Sequence, residues 1–403
     1  DFCLSRGLGD VYKRQEEENI KELSLNYDDL YMTTFSETSN KLYAGKLVWA
    51  YPLFKGRISG GSEYSYIHRI SDFSGFGNQI LGTSDKIRER NLAFFLNCTW
   101  SLGGIDASAG LRYEDVKSDF YENSIYQSDE SKHYRNLFPS LSLKGSVGKV
   151  HWGLGYHIQV ARPYYEQLKN EIHYGNRFTY LGGTPNLQPT YIHTAEMRAA
   201  YRDLQLSVGY NRYNDDILFS IEQATSDPKI TLIKFRNVEH RDEMTASLVY
   251  SPGIGCWRPE WVASVQSQWF NIGYLDGTKN MNGITVGIRW NNSFQLPMGY
   301  IFRLNGTYTG KGVYQNSFTR PVSCFGVSIY KSFFNGRLDC TVEGNDLFHT
   351  VRDATTQYDN KVKIYRETQR NTQEVKLTVH YKFNLQKSKY KGTGAGLDEQ
   401  QRL

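Results

Sequence analysis

Strict alternation is the feature that most constrains what this chain can fold into. From Val150 to Ala161 every even position is apolar or aromatic, and every odd position is polar or small. The segment from Val375 to Phe383 alternates in the same way. A period of two indicates β-strands with one face in an apolar medium and the other in a polar one.

Composition agrees with strands that are apolar on one face only. Aromatic residues make up 14% of the chain, yet the mean hydropathy is -0.57. No apolar run is long enough for a transmembrane helix, which needs about 18 residues or more. The net charge of +5 is small and its basic residues are scattered, so nucleic-acid binding is not expected.

The turns between strands follow a regular order. Tight turns are predicted at Gly148-Lys149, Arg202-Asp203 and Asn335-Gly336, and long polar segments separate the hairpins. Short turns at one end and long loops at the other are typical of a transmembrane β-barrel. The predicted fold is therefore all-β, an antiparallel barrel in the outer membrane of a Gram-negative cell.

The sequence divides into four predicted parts. Residues 1–15 are interpreted as a sequencing or assembly artefact, 16–40 as a loop segment, 41–384 as the barrel and 385–403 as a polar C-terminal tail. About fifteen strands are predicted, whereas single-chain bacterial barrels have an even number. The chain is therefore expected to be the C-terminal part of a longer barrel, and seven further strands would complete about 22.

Four extracellular loops are predicted to discriminate between solutes. They are Ser71 to Asp85, Asp119 to Arg135, Pro163 to Gln188 and Thr350 to Val362.

Two motifs resemble those of a known family. Residues 156–168 read Tyr-His-Ile-Gln-Val-Ala-Arg-Pro-Tyr-Tyr-Glu-Gln-Leu, and residues 183–189 read Gly-Thr-Pro-Asn-Leu-Gln-Pro. Together they resemble the signature of TonB-dependent receptor barrels, and the tail resembles the ending of the Bacteroidetes outer membrane protein beta-barrel family. The motif residues, interpreted as structuring a loop, are Arg162, Pro163, Pro185, Asn186, Leu187 and Pro189.

This resemblance implies a barrel of about 22 strands that is closed by an N-terminal plug and energised through the TonB complex. The expected function is uptake of a scarce small solute, such as a siderophore or a glycan-like ligand. The expected partners are outer-membrane lipid, TonB through the plug, and that solute. No cofactor and no metal site are predicted.

Charged residues that alternate with the apolar positions are predicted to line the lumen. They are interpreted as a hydrated ionic lining that holds a plug, with a ligand path as the alternative. The predicted lining residues are Glu63, Arg112, Glu114, Glu196, Arg198, Arg289, Arg303, Asp339 and Glu343.

Three other functions are compatible with parts of the sequence. Asp215-Asp216 could form a catalytic carboxylate pair, but no histidine is placed beside it by the sequence, so the protein is not expected to be an enzyme. A non-transporting structural or adhesive barrel remains an alternative. A secreted all-β adhesin is another, although outward Trp and Tyr residues favour a lipid environment.

The alternation of Val150 to Ala161 gives a direct test of which face meets lipid. Leu154→Lys should reduce assembly of the intact protein into the outer membrane, because a lysine near mid-bilayer on the lipid face costs about 2–4 kcal/mol. His157→Lys, on the opposite face, should be mild. The heat-modifiable electrophoretic mobility of folded barrels measures both, and equal effects would contradict the assignment of faces.

Overall fold

The structure is a computed structural model that describes residues 2–22, 30–76, 82–223, 229–383 and 397–402. Strands make up nearly all of it. In these ranges no helix is long and apolar enough to cross a membrane.

The elements are numbered in chain order. The strands are β1 Phe2–Glu22, β2 Leu30–Leu53, β3 Gly56–Phe76, β4 Thr83–Leu102, β5 Ile105–Glu122, β6 Ile125–Val147, β7 Val150–Ala161, β8 Ile172–Asn176, β9 Thr179–Gly182, β10 Thr190–Tyr201, β11 Leu204–Gln223, β12 Thr231–Tyr250, β13 Trp257–Trp269, β14 Asn271–Tyr274, β15 Gly277–Asn280, β16 Gly283–Gln295, β17 Tyr300–Thr309, β18 Gly312–Tyr314, β19 Ser317–Thr319, β20 Val322–Phe333, β21 Leu338–Asn345, β22 Arg352–Asp359, β23 Val362–Gln369 and β24 Glu374–Tyr381. Two 3₁₀ helices span Tyr165–Leu168 and Pro297–Gly299, and the helix α1 spans Leu397–Arg402.

Eighteen of the strands form one sheet. The short strands β8 and β9 belong to a loop, and the other 16 follow one another as antiparallel neighbours, which makes them the wall of a barrel. Within the described residues β1 pairs only with β2 and β24 only with β21, so the sheet is not closed. The all-β barrel predicted from the sequence is confirmed.

The faces of the wall are inverted relative to a soluble protein, as β4 illustrates. Glu89 and Asn91 point inward and are buried, whereas Leu92, Phe94 and Leu96 point outward and are exposed. In this part of the strand polar groups lie inside the sheet and apolar groups outside, which suits a strand between lipid and an aqueous lumen.

All four predicted loops contain strand residues. Ser71 to Asp85 contains the ends of β3 and β4, and Asp119 to Arg135 is a hairpin of β5 and β6 that turns at Asn123-Ser124. Thr350 to Val362 contains β22. These strands continue beyond the lipid into water, where no apolar face is needed, so composition alone suggested loops. Pro163 to Gln188 connects two wall strands as a loop, as predicted, and contains a 3₁₀ helix and the short strands β8 and β9.

The ends of the chain also differ from the sequence-based boundaries. The predicted loop 16–40 is occupied by the ends of β1 and β2, which pair with each other from Glu22 and Leu30 outward. Within the described residues the wall therefore has 16 strands, close to the number of about fifteen predicted from the sequence. Whether residues 1–15 are an artefact stays a prediction. The tail 385–403 lies mostly outside the described residues, but its end forms α1.

A small second layer covers part of the extracellular end. It consists of the hairpin β14–β15 and the four-stranded sheet of β18, β19, β22 and β23. Its apolar core joins Phe270, Ile272 and Met281 to Leu218 of the wall. The fully buried Asp359 accepts a hydrogen bond from the Ile221 amide at 2.8 Å and pairs with Arg236 at 2.5 Å, so this layer is fixed to β11 and β12.

Strand β11 changes phase at Asp215. This residue has a φ of 56°, and the ladder to β12 skips it. As a result Tyr213 and Asp216, three positions apart, both border the same lumenal cavity. A residue in the left-handed region interrupts the alternation of the strand. The side chains after it therefore point to the opposite face from the one that unbroken alternation would give them, as at a β-bulge.

On the lipid face, tryptophan rings cover glycines of the neighbouring strand. Trp49 lies opposite Gly60, Trp152 opposite Gly145, and Trp290 opposite Gly306. A Cβ added to Gly306 would lie 2.2 Å from Cε2 of Trp290. Glycine is therefore required where the ring lies flat on the backbone. The ring in turn covers the strand at a residue that has no side chain of its own to pack.

The Trp–Gly pairs predict a specific pattern of destabilisation. Gly306→Ala should lower the free energy of unfolding by about 1–3 kcal/mol, because the new methyl group displaces Trp290. Gly45→Ala is the matched control, since no atom lies within 4 Å of its added Cβ. Thermal unfolding of the intact protein in detergent, followed by circular dichroism, should separate the two variants, and equal midpoints would contradict this packing.

Candidate functional site

The loop between β7 and β10 folds into the lumen. Tyr165 and Leu168, in its 3₁₀ helix, are buried together with Leu187 against an inward apolar patch of the wall. That patch consists of Leu42, Ile67, Ile87 and Phe120. Apolar side chains on an otherwise polar lumenal face thus provide the surface on which the loop packs. Residues 163–189 are called the inner loop below.

The start of the inner loop is held by a ladder of charges. Arg162 pairs with Glu114, which also accepts a hydrogen bond from Nε of Arg112 at 2.5 Å. Arg112 approaches Glu63 at 3.4 Å, and Lys46 lies 3.6 Å from the same carboxylate. Glu114 is buried, so each of its guanidinium partners compensates a charge that would otherwise be costly in the wall. The ladder joins three strands to the loop.

A second group of charges holds the 3₁₀ helix and the residues after it. Nη2 of Arg69, a fully buried side chain, lies 2.5 Å from Glu166. Lys169 contacts Glu166 at 2.8 Å and Glu171 at 2.5 Å. Burial by itself would raise the pKa of Glu166, but Lys169 and Arg69 outweigh it and hold that pKa below its usual value. Glu166 is therefore a carboxylate at neutral pH, and the inner loop is attached ionically.

Across the lumen from this group, β11 and β12 carry a third cluster. Nε of Arg241 lies 2.6 Å from Asp216, and its Nη1 lies 2.9 Å from Glu243. The guanidinium is also 4.0 Å from the centre of the Tyr213 ring. Between this cluster and the inner loop is a cavity of about 420 Å³. Its lining of carboxylate, guanidinium, amide and phenol groups suits a polar solute.

The helix α1 also reaches the lumenal face. Arg402 contacts Glu89 through two nitrogen atoms, at 2.5 and 3.2 Å, and Glu399 accepts a hydrogen bond from Ser65 at 2.7 Å. Both α1 side chains are buried. The predicted polar tail thus ends inside the barrel rather than in open solvent.

The predicted lining residues are distributed over several small groups. Glu63, Arg112 and Glu114 come together in the ladder described above. The others pair locally: Glu196 with Arg198 at 2.8 Å, Arg289 with Glu260 at 3.5 Å, Asp339 with Lys382 at 2.9 Å, Glu343 with Lys376 at 3.3 Å, and Arg303 over the Tyr330 ring at 5.7 Å. The first of these pairs is the most exposed.

The motif residues lie where the inner loop meets the wall. Arg162 closes the charge ladder, Leu187 packs in the apolar cluster, and Asn186 accepts a hydrogen bond from Lys132 at 2.5 Å. Pro163, Pro185 and Pro189 line a small space of about 30 Å³ beside Arg162. Their interpretation as loop-structuring residues agrees with these contacts, although their importance for function stays a prediction.

Several of the most buried charges were not identified from the sequence. Arg69, Glu89, Arg241 and Glu243 are inward and buried, yet they are absent from the predicted lining. For Glu89 a signal existed, because it shares its phase with Asn91 and Ala93 in β4. For Arg241 and Glu243 the alternation gave no usable signal. The inward and outward positions of β12 exchange opposite Asp215, together with those of β11.

The profile of the outer membrane protein beta-barrel family matches residues 9–381. The chain belongs to this family. The family named from the sequence motifs is thereby confirmed, and the location is the outer membrane; an origin in Bacteroidetes stays a prediction. A comparison with curated proteins found no match.

Solved structures with the same fold include three transport proteins or receptors. The copper transporter OprC aligns with a TM-score of 0.63 and 13% identity over 92% of this chain and 61% of that protein. The ferric yersiniabactin uptake receptor FyuA from Yersinia pestis aligns at 0.58 and 12%, over 90% of this chain and 57% of the receptor. The ferric-catecholate import receptor Fiu from E. coli K12 aligns at 0.58 and 11%, over 92% and 61%.

These similarities establish the fold and the architecture of a receptor-like barrel. The chain spans about three-fifths of the length of the first two proteins. Among the residues that the structure describes, no group of three or more His, Cys, Asp or Glu side chains could hold a metal ion.

The charge ladder predicts which pairs hold the inner loop. Arg162→Ala should leave the buried Glu114 short of one partner and destabilise the attachment by about 3 kcal/mol. Arg198→Ala removes an exposed pair and should change stability by less than about 1 kcal/mol. Limited trypsin digestion of intact cells should then show faster cleavage within 163–189 for the first variant alone. Equal cleavage of both variants would show that the ladder does not hold the loop.

Proposed function

We propose that this barrel takes up a small polar solute across the outer membrane in a TonB-dependent manner. The observation that carries the proposal is the inner loop, which folds into a polar lumen and leaves a cavity of about 420 Å³ beside the Asp216–Arg241–Glu243 cluster. A purely structural barrel has no physical need for an internal constriction next to an open, hydrogen-bonding cavity.

The nature of the lumen supports this proposal. Its charges are mostly paired, so a solute would meet a nearly neutral surface rich in hydrogen-bonding groups rather than a strong field of one sign. Aromatic and amide side chains, namely Tyr213, Tyr314, Gln266 and Gln315, complete the cavity wall. Such a surface suits a ligand with many hydroxyl or amide groups, as siderophores and glycans have.

The comparisons support transport as the general activity. The similar structures are those of a copper transporter, a ferric yersiniabactin uptake receptor and a ferric-catecholate import receptor. Energy coupling through TonB and closure by a plug are proposals for this chain that rest on the motif resemblance. The expectation that the protein is not an enzyme stays a prediction; Asp216, half of the suggested carboxylate pair, forms an ion pair with Arg241.

An uptake experiment that does not presuppose the solute tests the proposal. Cells with and without the intact gene are grown in complex medium, and depletion of small compounds is measured by mass spectrometry. At least one polar compound should be depleted only by cells with the gene, and a protonophore or loss of TonB should stop its depletion.

Two variants test whether the uptake depends on the cavity. Arg241→Ala should slow depletion of the same compound by roughly tenfold, because it removes one hydrogen-bonding cluster worth about 1.4 kcal/mol or more. Arg198→Ala, an exposed control, should not. Identical depletion profiles with and without the gene, while the protein is present in the outer membrane, would favour the structural or adhesive alternative.

A further inference from the structure

The end of the chain makes contacts that the uptake function does not require. Arg402 is buried in the lumen, where Nη1 and Nη2 donate to the two carboxylate oxygens of Glu89 at 2.5 and 3.2 Å. Its Nε donates to the carbonyl oxygen of Pro163 at 3.1 Å, and its guanidinium lies 4.4 Å from the centre of the Tyr165 ring. One side chain therefore joins strand β4 to the inner loop.

Glu399, one helical turn earlier, makes a second attachment. Its Oε1 accepts hydrogen bonds from Oγ of Ser65 at 2.7 Å and from Nδ2 of Asn91 at 3.2 Å. Ser65 lies on β3 and Asn91 on β4, so Glu399 is held by two neighbouring strands. A buried carboxylate on one residue and a buried guanidinium three residues later meet complementary groups on the wall.

Without α1, the buried Glu89 of the wall would lose its ion pair with Arg402. In the part of the chain that the structure describes, Arg402 is the ion-pair partner of Glu89, which also accepts a hydrogen bond from the Tyr165 hydroxyl at 3.1 Å. Arg162, the nearest other guanidinium in the ladder, pairs with Glu114. A buried carboxylate without a counter-charge is strongly unfavourable, so Glu89 provides a binding site for a guanidinium group in the wall.

The length of the chain allows this arrangement. Strand β24 ends at Tyr381 on the short-turn side, and about fourteen residue steps, or at most roughly 46–50 Å, separate Phe383 from Leu397. Glu89 lies about eleven residues along β4 from Trp100 near the same side, which is roughly 36 Å of strand. The tail is therefore long enough to return into the lumen.

We propose that residues 397–402 form a lumenal latch, in which Glu399 and Arg402 bind the wall and hold the inner loop against it. The latch closes the side of the lumen beneath the Tyr165–Leu168 helix, and its release frees the inner loop to move. This role does not depend on which solute passes, so it can succeed or fail separately from the proposed uptake.

Thiol crosslinking in isolated outer membranes tests where the latch lies. The intact protein, with its native cysteines replaced by alanine, carries Ser65→Cys together with Glu399→Cys. A short bis-maleimide reagent should join this pair. Tyr64→Cys with Glu399→Cys is the matched negative control, because Tyr64 is the adjacent residue on the exposed outer face. Ala44→Cys with Ser65→Cys, directly opposite in the β2–β3 ladder, confirms that the reagent reaches the lumen.

A charge exchange tests whether the ion pair causes the docking. In the crosslinking background, Arg402→Glu should lower the yield by roughly tenfold or more, because it places two carboxylates together. Adding Glu89→Arg should restore much of the yield, whereas Gln401→Ala should leave it unchanged. The same Arg402→Glu change should speed external trypsin cleavage within 163–189.

The outcomes are separable. Crosslinking of the 65–399 pair and rescue by the exchanged charges would establish the latch. Crosslinking of the 44–65 pair with none of the 65–399 pair would overturn it, as would a trypsin cleavage rate that does not respond to Arg402→Glu.

Discussion

Hydrocarbon offers no hydrogen bonds to a polypeptide backbone, and the arrangement of this chain depends on that fact. Each wall strand must satisfy its amides through its neighbours, which accounts for the antiparallel order of the wall strands from β1 to β24. Once the ladder is formed, successive side chains point to opposite faces, so lipid imposes an apolar outer face and leaves the inner face to polar groups. The paired charges, the inner loop and the cavity all occupy the face that lipid does not control.

The same constraint explains how much could be predicted from the sequence. Where strands cross lipid, alternation is enforced, and the segments around Val150–Ala161 and Glu374–Tyr381 were placed correctly within about two residues. Above the lipid both faces meet water, so the hairpin of β5 and β6 resembled a loop. The phase change at Asp215 depends on one backbone angle, which no periodic pattern reveals.

The candidate site was predicted less completely than the fold. Residues of the same phase, such as Arg112 and Glu114, could be recognised as inward from their strand alone. Which charges meet depends on register between strands and on a loop that folds back, as for Arg162 and Glu114. The contact between Glu89 and Arg402 joins residues more than 300 positions apart, and nothing in the sequence near either residue predicts it.

The height of the wall strands has a further consequence. A strand of about 20 residues is roughly 66 Å long, and at a tilt near 45° it rises about 47 Å, whereas the apolar band is only about 25 Å tall. Nearly half of the height of the long strands β1 to β6, β11 and β12 therefore stands outside the membrane as a stiff collar. In the uptake that we propose, this collar would screen a solute from neighbouring surface polymers before the solute reaches the inner loop.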